Sequence, residues 1–182
     1  VGLFYWQGGK SDDAAVVALH SFRATMATEC KQDQFARPMT AGLDAQGNPV
    51  AWSARIAAPS IIGTLNRLPL PNGIDPQAVV GFADQPYSIP NVKVDYAQRN
   101  GHVPVGFWRT VGHSQNPYVR ECFMDEMALA AGKDPYQYRR ALLRDRPRDL
   151  AILDVVARAA GWDKPAPKGV FRGIAETDAY GS

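Results

Sequence analysis

The stretch Gly106-Phe107-Trp108-Arg109-Thr110-Val111-Gly112-His113-Ser114-Gln115-Asn116 places an aromatic pair, an arginine, two glycines and a run of polar side chains just ahead of a strongly patterned helix. Glycine permits backbone conformations and close approaches that a side chain would block. Arg109 is a permanent cation whose planar fork of donors suits anionic or oxo-rich ligands. A plainer reading is also open, because loops that enter helices collect Gly, Ser, Asn and His without binding anything.

Several chemistries are excluded by residue type and spacing. The histidines are His20, His102 and His113, and none pairs with another His, Cys or carboxylate at a metal-ligand spacing, so a protein-ligated metal is not expected. His113-Ser114 does not lie in the G-x-S-x-G elbow of serine hydrolases. Neither G-x-G-x-x-G nor a Walker A loop is present. Glu121, Asp125 and Glu126 share one helical segment, and their spacing reads as a solvated face rather than as paired carboxylates in a cleft. The cysteines Cys30 and Cys122 are far apart; Cys122 falls within an apolar helical pattern and reads as a small packing residue.

The elements that must position this loop belong to a soluble globular chain. Of its 182 residues 46% are hydrophobic and 21% charged, and a net charge of +2 offers no basic stripe for nucleic acid. No run approaches the roughly twenty apolar residues of a membrane span. At the N-terminus, Val1 to Trp6 reads as a strand and Asp12 to Met26 as a helix behind the Ser11-Asp12 cap signal. Met39, Ala41 and Leu43, then the turn Ala45-Gln46-Gly47-Asn48, then Val50, Trp52, Ala54 and Ile56 read as a hairpin with one buried face. Pro59 to Pro90 is rich in helix breakers and reads mostly as ordered loop.

A strand is expected over Asn91 to Tyr96 and a second apolar stretch over Val103 to Trp108, which would place the loop where a strand hands over to a helix. Val119, Cys122, Phe123, Met127 and Ala130 predict a helix from about Asn116 to Ala131, with Gly132 as its C-cap and Arg120, Glu121 and Asp125 on a polar face. Asp134-Pro135 starts the next helix, with Tyr138, Ala141 and Leu142 on its apolar side. A third runs from about Pro147 to Ala160, showing Leu150, Leu153, Val156 and Ala157. Gly169 to Ala179 reads as a strand, and its abrupt end at Gly181-Ser182 implies a piece of something longer. The fold class is therefore α+β: a β-hairpin and short strands packed with about three consecutive helices, forming part of a larger subunit.

From about Phe35 onward the order of these motifs resembles the molybdopterin-binding large subunit of the xanthine dehydrogenase and aldehyde oxidase family, in the branch typified by the isoquinoline 1-oxidoreductase beta subunit. The landmarks are Gly42 to Trp52, then Pro86-Tyr87-Ser88-Ile89-Pro90-Asn91, then Gly106 to Asn116, then Asp125-Glu126 through Gly132-Lys133-Asp134-Pro135 to Arg139-Arg140. Arg172-Gly173-Ile174-Ala175 is similar to the family's next strand. Residues 1–34 carry no such landmark and form an unassigned segment, with 35–182 as a partial molybdopterin-binding domain.

The resemblance implies hydroxylation of an N-heterocycle or aldehyde carbon with oxygen from water. It also implies a molybdopterin, as the cytosine dinucleotide, in the full-length protein, a [2Fe-2S] small subunit as partner, and a bacterial periplasmic or membrane-associated setting. Arg109 matches the arginine of the family's Phe-Arg-Gly-Phe-Gly loop beside molybdenum and is the implied catalytic residue. Trp108, Arg109, Gly112 and Gln115 are implied to face the cofactor. Thr110 and Val111 depart from the family's Gly and Phe, so Val111 and His113 imply a different substrate wall. A substrate-orienting arginine of purine oxidisers aligns near Ala78, which speaks against purines. The glycine-rich pterin grip and the downstream general-base glutamate are not within these residues, so the isolated chain is expected to be inactive and to hold no cofactor. A non-catalytic α+β binding or interaction module, with only an architectural likeness, remains the alternative.

Overall fold

The computed structural model describes residues 16–19, 39–65, 69–107 and 109–181. Four strands form one sheet in the order β1 (Val16–Leu19), β2 (Met39–Leu43), β3 (Pro49–Ala58) and β4 (Asn91–Gln98). β1 and β3 both run antiparallel to β2, whereas β4 runs parallel to β3. The strand over Val16–Leu19 corrects the helix expected there, since these residues pair with Met39 to Gly42. A β-branched pair beside a waiting sheet edge has more to gain from ladder hydrogen bonds than from a cap signal four residues away. The rest of that helix and the strand over Val1 to Trp6 lie outside the described residues.

The β2–β3 hairpin forms as its alternation demands, with Met39, Ala41, Trp52, Ala54, Ile56 and Ala58 buried on one face. Asp44 fixes the turn: its Oδ1 accepts from the Gln46 and Asn48 amides at 2.9 and 2.8 Å, while Gly47 takes φ +74°. A parallel partner requires a crossover, and residues 59 to 90 supply it with two short helices, α1 (Ile61–Leu65) and α2 (Pro76–Val79). Asp75 anchors that crossover. It is fully buried, caps α2 through Gln77 N at 2.8 Å, and accepts from Ser60 Oγ and Ile62 N at 2.8 and 3.0 Å.

Three helices cover the sheet: α3 (Gln115–Ala130), α4 (Pro135–Leu142) and α5 (Pro147–Ala159). α3 buries Val119, Phe123, Met124, Met127 and Ala128 in the core with Trp52, Phe82, Tyr138 and Leu143. It ends at Gly132, φ +63°, in a Schellman arrangement in which Lys133 N reaches Ala128 O and Gly132 N reaches Leu129 O. Asp134 then caps α4 through Gln137 N at 3.0 Å.

Two expected strands are absent from the described residues. Residues 103–107 run as unpaired coil, because β4 is a sheet edge with no further neighbour and Pro104 has no amide to give a ladder. The segment 169–179 is also coil. Its backbone is held by side chains of α3 instead: Arg120 Nη2 donates to Glu176 O at 2.6 Å and Glu176 N donates to Glu121 Oε2 at 3.1 Å.

Candidate functional site

The loop ahead of α3 is shaped by two adjacent residues in the left-handed region, Thr110 at φ +71° and Val111 at φ +50°. Branching at Cβ makes that region costly, so the conformation persists only where the surroundings over-determine it. A single 3-10 turn over Val111–His113 follows and runs directly into α3.

Gly112 is buried at the base of this loop, and a Cβ there would meet Val80 Cγ1 and Val80 O at 2.7 Å and Asn116 Nδ2 at 2.9 Å. The side chain of Asn116 is fully buried and donates from Nδ2 to Ala78 O at 3.0 Å and to Val80 O at 2.8 Å. Ala78, where purine oxidisers carry an arginine according to the resemblance, is therefore packed beneath the loop and not open to a ligand.

Arg109 itself is exposed and has no ion-pair partner among the described residues. Other arginines are engaged, notably Arg120, Arg139, Arg140 and Arg172. Phe107 is about half-exposed beside it. Val111 and His113 are half-buried, and Gln115, the first residue of α3, accepts from Ser114 Oγ at 2.7 Å. Trp108 lies outside the described residues. Arg109, Val111, Gly112, His113 and Gln115 are thus contiguous along the loop and into the first residue of α3.

A groove of about 350 Å³ runs between the first turns of α3 and residues 173–177, and of those candidates only His113 lines it, beside Tyr118, Cys122, Ile174 and Glu176. The His113 ring lies 5.1 Å from that of Tyr180, and its buried Nδ1 has no hydrogen-bond partner among the described residues. Cys122 is half-buried and unoxidised, and burial pushes its thiol pKa up, as expected of a packing residue.

The supposed solvated face of α3 is the largest departure from the sequence reading. Arg120 and Glu121 are 2% and 4% exposed, and Arg139 of α4 is 0% exposed. Glu121 is saturated: Oε1 accepts from Arg120 Nε at 2.9 Å, and Oε2 from Tyr87 Oη and Arg139 Nε, both at 2.8 Å. Arg139 also donates to Asp125 Oδ1 at 2.6 Å and to the Glu121 carbonyl at 2.9 Å. Burial opposes the Arg139 charge, but Glu121, Tyr87 and Asp125 outweigh it and hold the guanidinium firmly protonated. The Tyr87 hydroxyl is driven well above its ordinary range by burial and then by the Glu121 charge. Asp125 is raised by burial, which wins over the opposing pull of Arg139. Only Glu126 lacks a place in this network, and it too is half-buried, with its pKa raised by burial and by Asp125.

The sequence carries a signal for this network. Arg120 and Glu121 lie on the same helical stripe as Pro117, Met124 and Ala128, all buried, so charges interrupt a face that is otherwise apolar. Among the described residues no group of three or more His, Cys, Asp or Glu side chains is placed to hold a metal ion, and no helix is long and apolar enough to cross a membrane.

Comparison with known proteins matches residues 13–143 to the molybdopterin cofactor-binding domain family. One of the subunits of nicotinate dehydrogenase from Pseudomonas putida is 29% identical over 126 residues, covering 66% of this chain and 10% of that protein. The beta subunit of isoquinoline 1-oxidoreductase from Brevundimonas diminuta is 29% identical over 94 residues, covering 50% of this chain and 12% of that protein. The chain therefore spans about a tenth of the length of these relatives. Among solved structures, the aldehyde oxidoreductase of Desulfovibrio gigas superposes with a TM-score of 0.52 at 19% identity, over 70% of this chain and 15% of that one. Quinoline 2-oxidoreductase from Pseudomonas putida 86 gives 0.50 at 18% identity, over 72% of this chain and 18% of that one. At these identities the superpositions speak for the fold alone.

Proposed function

The chain belongs to the molybdopterin cofactor-binding domain family, and from that premise we propose that it forms one wall of the active site in the large subunit of a molybdenum hydroxylase. The family match sets aside a merely architectural likeness. The observation that carries the reading is Arg109: an exposed permanent cation, without an ion-pair partner among the described residues, on a loop held in a costly conformation by buried packing. Such a guanidinium fits a group rich in phosphate and oxo oxygens, because its donors are not spent on an ion pair among the described residues.

Arg109 and Gln115, and by resemblance Trp108, face the cofactor in this reading, Gly112 seats the loop that presents them, and Val111 and His113 form the adjoining substrate wall. Arg109 and Gln115 would hold the molybdopterin, which when bound would supply two-electron oxidation of the substrate carbon with water as the source of the oxygen. Arg109 orients and stabilises negative charge there; a guanidinium, which donates hydrogen bonds and accepts none, does not serve as the base. That proton is taken by a glutamate outside this chain. The two relatives, a nicotinate dehydrogenase and an isoquinoline 1-oxidoreductase, support an N-heterocycle as substrate, with an aldehyde as the second choice. The cytosine dinucleotide form of the pterin and a [2Fe-2S] subunit as electron-accepting partner complete the proposal. Residues 35–182 are the partial cofactor-binding domain within it, and the separated fragment has no turnover of its own.

The test is Arg109→Ala in the full-length protein, with molybdenum content and turnover of an N-heterocycle measured together. Loss of a charge-stabilising donor lowers turnover by roughly 100-fold or more while molybdenum per protein stays near that of the wild type. Unchanged turnover would refute the role of Arg109.

A further inference from the structure

Two neighbouring left-handed, β-branched residues do not hold themselves in place, and the means of holding them lies beneath the loop. The turn at residues 78–81 is gripped from the first two turns of α3: Asn116 Nδ2 takes the carbonyls of Ala78 and Val80 at 3.0 and 2.8 Å, and Arg120 Nη1 takes that of Gly81 at 2.9 Å. Gly81 adopts φ +75°, and a Cβ there would meet Pro117 at 3.2 Å. Gly112 is wedged between this turn and Asn116, with room for no side chain.

We infer that Asn116 is a positioning residue for Arg109: it fixes the Ala78–Val80 turn against which Gly112 seats, and so sets the backbone of Thr110 and Val111 that presents the guanidinium. This rests on the function proposed for Arg109 and adds the residue that acts through it. The amide is needed because a single NH2 group satisfies two carbonyls that are otherwise buried beside α3. A carboxylate of the same shape would offer oxygen to oxygen and release the turn. The Arg109 side chain sits only three residues from the seated glycine, so loosening the seat moves it directly, and small misplacements at such sites are costly.

The experiment uses the full-length protein with Asn116→Asp and the milder Asn116→Ser, each alone and combined with Arg109→Ala. Hydrogen exchange is followed at residues 109–114 and, as the internal control, at the α4 residues 138–142. Exchange at 109–114 is expected to rise at least about tenfold with α4 unchanged, and turnover to fall without the two substitutions adding, because both remove the same interaction. Unchanged exchange at 109–114, or an equal rise in α4, would overturn the inference, as would strictly additive losses of turnover. If Arg109→Ala alone has no effect, the functional reading fails and loop exchange still decides whether Asn116 holds the loop.

Discussion

Glu176 offers the sharpest quantitative test of the buried network. The residue is 9% exposed, and Oε2 has no hydrogen-bond partner among the described residues. Arg120 Nη2 stands 3.8 Å from it, but that nitrogen is already engaged with the backbone carbonyl of Glu176 at 2.6 Å. The pair is therefore a poor ion pair, and burial prevails over Arg120: the carboxyl is pushed up from 4.5 to about 7, helped by the charges of Glu121 on α3, Asp149 on α5 and Asp178 nearby. A carboxyl that holds its proton more tightly when folded stabilises the fold below the unfolded value of 4.5, and that contribution is lost as pH rises through about 7.

At about 1.4 kcal/mol per tenfold in proton affinity, the change limits the effect to about 3 kcal/mol, and water in the flanking groove reduces it to about 1–3 kcal/mol. Glu176→Gln removes the titration and keeps the shape. Urea unfolding of both chains at intervals from pH 4 to pH 8 should show similar stability at the acid end and a variant more stable by that amount at pH 8. Asp125 and Glu126 are raised as well, but they are common to both chains and cancel in the difference. Asp44, Asp95 and Asp154 are lowered and titrate below this window. Parallel stability curves for the two chains would show that Glu176 ionises freely in the fold.

Arg139 and Arg140 are neighbours with opposite fates. Arg139→Met takes one of two buried guanidinium partners from Glu121, leaves Asp125 without its ion pair, and should cost about 3–5 kcal/mol, whereas Arg140→Met, which breaks an exposed pair with Asp154 at 3.0 Å, should change stability far less; equal losses in urea unfolding would contradict the assignment of burial. Thr110→Gly should raise stability by about 0.5–1 kcal/mol, since relief of a left-handed β-branched residue exceeds the added freedom of the unfolded chain, and a lower melting temperature would show that Thr110 is not strained.

Local rules located most of the scaffold. Alternation in Met39 to Ile56 specified the hairpin because one face is buried, and the sites at Gly132 and Asp134-Pro135 placed the α3–α4 junction because caps are decided by neighbouring residues. What local pattern did not carry was partnership. Val103 to Phe107 and residues 169–179 are apolar enough for strands, yet a strand exists only beside another, and the sheet ends at β4. The charges of Arg120 and Glu121 looked solvated because their partners, Tyr87, Arg139 and Glu176, are 18 to 55 residues away. The candidate site was legible as a loop on the strength of its resemblance, but the means of holding it was not, since Asn116 reads as an ordinary helix-start residue until Ala78 and Val80 are brought beneath it.

The buried network and the loop are mechanically joined. Arg120 touches both, donating from Nη1 to Gly81 beneath the loop and from Nε to Glu121 in the network. Glu121 in turn ties α3 to α4 through Arg139 and to the Pro86–Asn91 segment through Tyr87. A chain of ionic and hydrogen-bonded contacts therefore runs from the floor of the Arg109 loop, where Thr110 and Val111 take left-handed backbone, through α3 into α4. Placing ionic residues where apolar ones would pack as well makes sense in that light: directional contacts fix the rotation of α3, and with it the direction in which the loop leaves the helix, more tightly than side-chain packing alone.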